Sequence, residues 1–259
     1  EHAQGLPAAF FRPEHLGVAG DDLQEPEGVR AHGVLRRRRG DLALFYLKKN
    51  SDTDCRPVLR VSSDEGLTWS APRQIVPDAE TGYYILCNAH AMMTKSGRIL
   101  LPLSVYRHPA SADGMSLCWY SDDDGETWSA PRTIANGPLD DRDAGIVELA
   151  DGTILLNWFT SVAFAEYDDP SLKKYKEHFA SLPAETVRRE LGYWTARSTD
   201  GGRTWEPKVR CPAQLPHGVT VLKGGRLLYV GKRDWQKTFK GVLPADENRD
   251  ALLCVESTD

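Results

Sequence analysis

Long apolar runs are missing from this sequence. No stretch of about 18 apolar residues occurs, so no membrane-spanning helix is predicted. An excess of positive charge is missing as well, because 32 Lys and Arg residues stand against 37 Asp and Glu residues and the formal net charge is -5. A chain with this charge is not expected to have nucleic acid or an anionic membrane as its partner.

Cysteine is scarce and scattered. The five cysteines form no C-x-x-C pair and no metal-like cluster, which predicts neither a disulfide framework nor a zinc site. Cys118 and Cys254 each lie in an apolar run just upstream of a repeated serine, where a buried thiol that packs as a small hydrophobic group is expected. No cofactor is predicted. The chain starts at Glu1, so a removed signal peptide would make the protein secreted or periplasmic, and without one it would be cytoplasmic.

The sequence contains an internal repeat. Residues 62–69, 121–128 and 198–205 each read S-x-D-x-G-x-T-W, the pattern called an Asp box, and residues 257–259 begin a fourth copy. The repeated serines are separated by 59, 77 and 59 positions, so one repeat carries an insertion. We expect the Asp carboxylate to accept hydrogen bonds from its own turn, the Gly to adopt a backbone angle that a Cβ penalises, and the Trp to cover the seam between neighbouring sheets.

Each repeat has the pattern of four antiparallel strands. In the third repeat, residues 144–149 and 153–158 form a hairpin about Asp151-Gly152, residues 193–197 form the third strand, and residues 208–211 the fourth. Four strands per period predict an all-β protein built from propeller blades. About four blades are expected in a single domain over residues 1–259, which ends before the ring can close.

Two local segments stand apart from the strand pattern. The insertion, at about residues 163–191, has the spacing of two short helices, and both a surface excursion and a lid over a site remain open. Residues 36–39 are four consecutive arginines just before Gly40. For them a solvated hairpin turn is predicted in preference to a phosphate-binding site.

Blade topology predicts where a site lies. The starts of the first strands and the loops between the second and third strands share one face, opposite the Asp boxes, and the first strands surround the central axis. Convergent polar groups there suit a polar, anionic ligand. The substrate-binding candidates are Arg30, His32, Asn88, His90, Arg107, Arg142, His217 and Lys232, and the catalytic candidates are Asp143 and Asp54.

Two other interpretations of these residues stay open. The three histidines could ligate a metal, but no short-range pair such as H-x-x-x-H supports this, so no metal site is predicted. Taken singly, each polar residue could instead cap an inner strand by hydrogen bonding.

The motifs resemble the sialidase (neuraminidase) superfamily with Asp-box repeats, over nearly the whole chain. Residues 142–157 are similar to the family segment V-V-E-L-x-D-G-x-L-x-L-N, with Asp143 where the family has a Glu. Arg30 resembles the first arginine of the family's carboxylate-binding triad, and Asp54 its acid/base aspartate. Phe159 stands where the second arginine would fall, and the third arginine and nucleophilic tyrosine would lie beyond Asp259.

This resemblance implies a six-bladed β-propeller and a carbohydrate ligand. It implies an exo-acting glycoside hydrolase on a terminal acidic sugar, in which an arginine pairs with the substrate carboxylate by two hydrogen bonds. Two alternatives remain, a propeller that binds glycans without catalysis and a lyase that acts on uronic acids.

Overall fold

The computed structural model describes residues 29–77, 82–85, 91–107, 114–162, 165, 168–211, 213, 218–232 and 252–257, and backbone alone for a few of them. The described chain forms four antiparallel sheets, which follow one another along the sequence. The predicted all-β class is therefore confirmed.

The first and second sheets contain nine strands. These are β1 (Val29–Arg36), β2 (Leu42–Lys49), β3 (Cys55–Ser62) and β4 (Arg73–Gln74), then β5 (Tyr84–Ile85), β6 (Met92–Met93), β7 (Ile99–Tyr106), β8 (Gly114–Ser121) and β9 (Arg132–Ala135). In the second sheet, β5 and β6 both pair with β7, and β8 and β9 follow.

The third and fourth sheets contain seven strands. These are β10 (Asp140–Glu148), β11 (Ile154–Ser161), β12 (Gly192–Ser198) and β13 (Val209–Arg210), then β14 (Thr220–Val221), β15 (Leu227–Lys232) and β16 (Leu252–Ser257). Within these two sheets the strands pair in chain order, as expected for propeller blades.

The Asp boxes are hydrogen-bonded turns, as predicted. In the second box, the Asp123 carboxylate accepts hydrogen bonds from the Ser121 hydroxyl, the Thr127 main-chain N–H and the Thr127 hydroxyl, at 2.8, 2.8 and 2.5 Å. The same contacts recur around Asp64 and Asp200. The turn is therefore closed by its own side chains, and the motif stabilises the connection between third and fourth strands.

The backbone of each box has a second left-handed residue that the motif does not reveal. Gly66 and Gly125 have φ of 89° and 86°, and the residues before them, Glu65 and Asp124, have φ of 62° and 66°. The third box has Gly201 at this preceding position. Since a Cβ is disfavoured at positive φ, the first two boxes contain a strained residue and the third does not.

Two of the box tryptophans, Trp128 and Trp205, cover seams between sheets, as predicted. Trp128, from the second sheet, packs edge-on against Phe45 of the first sheet, with 6.0 Å between ring centroids. Trp205, from the third sheet, packs against a buried cluster of Leu100 and Cys118 from the second sheet and Ile154 from the third. Each indole therefore joins its own sheet to the preceding one.

The prediction that residues 36–39 form a solvated loop is wrong for Arg37. Its side chain is only 4% exposed, it is held by both carboxylate oxygens of Asp41, and it donates a 2.8 Å hydrogen bond to the main-chain oxygen of Asp124. Arg98 makes the equivalent contact with the main-chain oxygen of Gly201 in the next box. These arginines bind neighbouring sheets together on the Asp-box side.

The insertion contains a 3₁₀ turn at Pro170–Leu172, helix α1 (Lys173–Ser181) and helix α2 (Ala184–Glu190). Phe179 and Val187 on these helices are buried with Leu139, the residue before β10. None of the helices in the described ranges is long and apolar enough for a membrane span.

The two cysteines for which burial was predicted differ. Cys118 is buried, and burial raises the pKa of its thiol to about 12. Cys254 is exposed on β16, which corrects the prediction for that residue. Cys254 has the same register position as Cys118, which packs against Ile154 of the following sheet, whereas in the described chain the corresponding face of the fourth sheet is exposed.

Candidate functional site

The strand registers place most candidates at the ends of the sheets away from the Asp boxes. In the third sheet, Glu148 pairs with Ile154 beside Ser198 of the box, whereas Arg142 pairs with Phe159 near the other end. Arg30 in β1, Asp54 before β3, Arg107 after β7 and Lys232 in β15 lie at the corresponding ends of their own sheets. Within the described backbone, these candidates therefore share one end, which we call the site end.

The first strands of two sheets carry the same irregularity. The register of β1 shifts between Ala31 and Gly33, and that of β10 shifts between Arg142 and Gly145. Counted from the hairpin turns, Arg30 and Arg142 occupy equivalent positions, just before the bulge. The shift in β10 begins directly after Arg142, and that in β1 begins one residue after Arg30, so a bulge follows both arginines closely in the chain.

Six of the candidates lie wholly or partly outside the described residues. Asn88, His90 and His217 lie outside the described residues, as do the side chains of Arg30, His32 and Lys232. In the part of the chain that is described, no group of three or more His, Cys, Asp or Glu side chains is arranged to hold a metal ion.

Asp143 occupies the bulge of β10 in a left-handed conformation, with φ of 53°. It is half-buried, its charge acts favourably on the Arg142 guanidinium, and its carboxylate makes no hydrogen bond to any other described residue. Non-glycine residues at positive φ are uncommon, and Asp and Asn are the side chains that tolerate it best. The strand therefore presents a carboxylate from a strained position, which is typical of functional sites.

Arg142 is held by a buried carboxylate. Its Nε donates a hydrogen bond to Asp140, whose side chain has no exposed surface, and the other Asp140 oxygen accepts a 2.7 Å hydrogen bond from the Gly114 main-chain N–H. Burial disfavours the charged guanidinium, but the adjacent Asp140 carboxylate raises the pKa of Arg142. The guanidinium is therefore fixed and permanently charged at the site end.

Arg107 reaches from the second sheet into the loop before β10. It donates hydrogen bonds to the Asn136 side chain at 2.8 Å and the Leu139 main-chain oxygen at 3.1 Å, and it lies 3.5 Å from the Asp141 carboxylate. Asp141 also accepts hydrogen bonds from the Gly137 main-chain N–H and the Thr160 hydroxyl. Arg107 therefore has a structural role, because these contacts position the segment that leads into Asp140 and Arg142.

Burial raises the pKa of Asp141, although the Gly137 N–H, the Thr160 hydroxyl and the Arg107 charge oppose this effect. The Thr160 hydroxyl also accepts a 3.0 Å hydrogen bond from the Trp194 indole. Asp141 is thus the centre of a buried polar network one residue from Arg142, and the sequence did not single it out.

Two tyrosines that the sequence did not select connect the candidates. The ring of Tyr106, at the end of β7, stacks on that of Tyr83, and the Arg142 guanidinium lies 5.9 Å from the Tyr106 ring centre. Tyr83 also bridges to Cys55, next to Asp54. The stack therefore joins the loop that carries Asp54 to the strand that carries Arg142.

Asp54 is engaged with neighbours from its own loop and strand. Its carboxylate accepts hydrogen bonds from Arg56 Nε at 2.7 Å and from the Asn50 side chain at 3.1 Å. Arg56 is buried and also contacts Gln74 and Pro77. A general acid must approach the leaving oxygen of the substrate, so Asp54 would have to exchange these contacts to act in that role.

Comparison with known proteins decides the family. The model of the family described as a BNR repeat-like domain matches residues 21–230. The chain belongs to the BNR repeat-like domain family. The repeat family that the Asp boxes indicated is thereby shown over most of the chain.

Solved structures show the same fold. A Hadza microbial sialidase is 17% identical, with a TM-score of 0.56, over 90% of this chain and 45% of its own. A protein of unknown function from Dyadobacter fermentans is 17% identical, with a TM-score of 0.52, over 80% of this chain and 58% of its own. The chain thus spans about half the length of these two structures, and its fold is the sialidase-type β-propeller, represented by four sheets.

Proposed function

We propose that the protein is a carbohydrate-active, sialidase-like hydrolase that acts on a terminal acidic sugar at the site end. The observation that carries the proposal is the Arg142–Asp143 pair. A fixed guanidinium, half-buried with 17% of its side chain exposed, stands beside a half-buried carboxylate that has no hydrogen bond to another described side chain or main-chain group.

Each group has a chemical task in this proposal. Arg142 attracts the substrate carboxylate, with Asp140 holding the guanidinium in place. Asp143 acts as a base or orients the attacking group, and Asp54 is the candidate general acid. The equivalent position of Arg30 before the bulge of β1 supports a second positive charge facing the same ligand.

The similar solved structures support the substrate class only through the names of those proteins. The Hadza protein is a sialidase, and at 17% identity its fold, not its specificity, extends to this chain. Any acidic terminal sugar, including a sialic or uronic acid, fits the charge of the proposed site.

The test is a screen of the protein against sialosides, uronosides and neutral glycosides, with products identified by mass spectrometry and NMR. Release of one acidic monosaccharide from a chain end is expected. Binding without product would identify a glycan-binding propeller, and an unsaturated uronic acid would identify a lyase. Either of these results, or absence of both binding and turnover, overturns the proposed hydrolase.

A matched pair of substitutions tests the assigned role of the arginine. Arg142→Lys keeps the charge but loses planar two-point pairing, so kcat/KM for the acidic substrate should fall by about 10- to 100-fold. Arg132→Lys, on the exposed side of β9, is the control and should leave kcat/KM unchanged. Equal effects of the two substitutions would remove Arg142 from the binding site.

A further inference from the structure

The helical insertion leaves the third sheet at the site end. It follows β11, which ends at Ser161, and it returns to the sheet at Gly192, where β12 begins. Ser161 is the register partner of Asp140, the carboxylate that holds Arg142. The insertion is therefore attached to the part of the third sheet that carries the candidate site.

A four-residue connection, residues 136–139, runs from β9 of the second sheet to β10 of the third. From the second sheet, the Arg107 guanidinium donates hydrogen bonds to the first and last residues of this connection. From the insertion, His178 of α1 places its Nε2 atom 2.7 Å from the Pro138 main-chain oxygen, and since a carbonyl only accepts, the ring nitrogen is the donor. The connection is therefore held by both the second sheet and the insertion.

Leu139, the last residue of the connection, joins it to the insertion most firmly. Its side chain is 1% exposed and belongs to a buried cluster with Phe179 of α1, Val187 of α2 and Leu191, which follows α2. Protein interiors are close-packed, so a side chain in such a cluster cannot shift unless its neighbours shift as well. The insertion thus fixes the main chain at the residue that directly precedes Asp140.

The insertion is itself fixed to the sheet by Tyr175 of α1. This side chain is 2% exposed, and its hydroxyl donates a 3.3 Å hydrogen bond to the main-chain oxygen of Ser161. Since Ser161 pairs with Asp140, the insertion contacts both strands of the hairpin at the position of the buried carboxylate.

The Asp140 carboxylate has little room to move. Its side chain has no exposed surface, and a Cβ added at Gly114 would lie 2.9 Å from its Oδ1 atom. Oδ1 accepts the hydrogen bond of the Gly114 N–H, and Oδ2 accepts that of Arg142 Nε. Because hydrogen bonds are directional, a shift of the Asp140 main chain would turn the guanidinium or break its contact.

We propose that the two-helix insertion positions the arginine of the site. It packs around Leu139, Leu139 fixes the start of β10, and Asp140 then holds the Arg142 guanidinium in the direction from which it meets a ligand. Leu139 is a positioning residue, since it acts through Asp140. This role differs from both a lid and a surface excursion. Its consequence for substrate recognition rests on the proposed function, whereas the orientation of Arg142 does not.

The experiment compares two buried leucines. Leu139→Ala removes the side chain from the insertion cluster, and Leu59→Ala, in β3 of the first sheet and also at a position 1% exposed, is the matched control. Leu139→Met refills the space and is the conservative variant. If Leu139→Ala does not fold, Val187→Ala replaces it, because it removes two methyl groups from the insertion side of the same cluster.

The first measurement is the NMR signal of the Arg142 Nε–H group, assigned by its loss in Arg142→Lys. In Leu139→Ala this signal should move or broaden beyond detection, because the hydrogen bond to Asp140 is loosened. In Leu59→Ala and Leu139→Met it should stay at its native position. A native signal in Leu139→Ala overturns the proposal, whether or not the protein hydrolyses any glycoside.

The second measurement is a ratio of kcat/KM values. The 4-nitrophenyl glycosides of sialic acid and of glucuronic acid are each compared with their methyl esters, which lack the negative charge. A lower folded fraction affects acid and ester equally, so a purely structural role of Leu139 would leave the acid-to-ester ratio unchanged.

For the acid that the native protein hydrolyses, this ratio should fall by about 10-fold in Leu139→Ala, since a misplaced binding group lowers the rate strongly. Leu139→Met should restore the ratio, and Leu59→Ala should keep it native. A native ratio in Leu139→Ala overturns the role in recognition. If the native protein hydrolyses neither acid nor ester, the proposed function fails instead, and the Arg142 signal alone decides whether the insertion positions the arginine.

Discussion

The ring of Tyr83 lies parallel to the ring of Tyr106, with 5.2 Å between the ring centres and 9° between the ring planes. Both rings are half-buried, and burial raises the pKa of Tyr106 while the nearby Arg142 charge opposes the shift. This stack connects the second sheet to the loop of Asp54 and to the arginine of the candidate site, and no repeat or motif marks it in the sequence.

A double-mutant cycle measures this connection. Tyr83→Leu and Tyr106→Leu should each destabilise the protein, and the double variant should lose about 1 kcal/mol less than the sum, because one stacking contact is counted twice. Free energies of unfolding in urea provide the measurement. Additive losses would show that the two rings contribute separately.

Asp143 can be changed without disturbing the backbone. Asparagine tolerates the left-handed conformation, so Asp143→Asn should alter the free energy of unfolding by less than about 0.5 kcal/mol and lower kcat by at least about 100-fold. Asp143→Ala should cost about 1–2 kcal/mol more stability, since its Cβ is disfavoured at φ of 53° and it has no compensating polar group. Turnover at the native rate in the asparagine variant would remove the catalytic assignment.

Arg37 should contribute more to stability than its neighbours in the same run. Arg37→Met leaves Asp41 and the Asp124 main-chain oxygen without their buried donor, and the expected cost is about 2–3 kcal/mol by chemical denaturation. Arg39→Met is the matched control. Its ion pairs with Asp124 and Glu126 span 3.4 and 3.5 Å and its side chain is 57% exposed, so it should cost less than about 1 kcal/mol. Similar costs at both positions would contradict a specific role for Arg37 between the sheets.

The Asp boxes should make the protein sensitive to acid. Hydrogen bonds from Thr68 and Ser62 lower the pKa of Asp64 to about 2. At Asp123 and Asp200 burial is the largest single effect and acts to raise the pKa, but the hydrogen bonds from the serine and threonine of each box together outweigh it, and both pKa values are also about 2. Because the folded-state pKa lies below that of the unfolded chain, this stability is fully present above about pH 4 and is lost as the pH falls through 2.

Urea unfolding between pH 5 and pH 2 checks the sign. Asp123→Asn should have a shallower decline of stability than the native protein in this window, and it should be less stable at neutral pH by about 1–3 kcal/mol. Glu185→Gln, an exposed position on α2, should have the native pH dependence. The expectation fails if Asp123→Asn and the native protein lose stability in parallel.

The repeat allowed most of the architecture to be predicted. The spacing of Ser62, Ser121 and Ser198, together with the alternating strands between them, was sufficient to predict that the sheets follow one another along the chain. It also predicted that tryptophans of the boxes pack between sheets. Such features are local or periodic, so they are visible in a single sequence. The positions of strands could be predicted from the same repeat, and β10 and β11 lie close to the hairpin that was predicted at residues 144–149 and 153–158.

The site was harder to predict because its connections cross from one sheet to the next. The position of Arg142 near the start of a first strand could be predicted from its place in the repeat, but its Asp140 partner and its proximity to Tyr106 could not. Arg107 was selected as a ligand-binding residue, and the structure commits its guanidinium to Asn136, Leu139 and Asp141. Which role a charged side chain takes depends on which backbone groups of the neighbouring sheet lie within its reach.

The sequence by itself determined the Asp-box turns, because the serine, aspartate, glycine and threonine that close each turn lie within eight consecutive residues and need no distant partner. It also determined the order of the sheets, because each repeat is one continuous segment of the chain and forms one sheet. Only the tertiary structure decided that Arg37 is buried rather than solvated, and that Tyr83 reaches Tyr106 and Arg142. Those outcomes depend on how closely one sheet packs on the next, and that distance is set by the indoles and aliphatic side chains of the seams acting together.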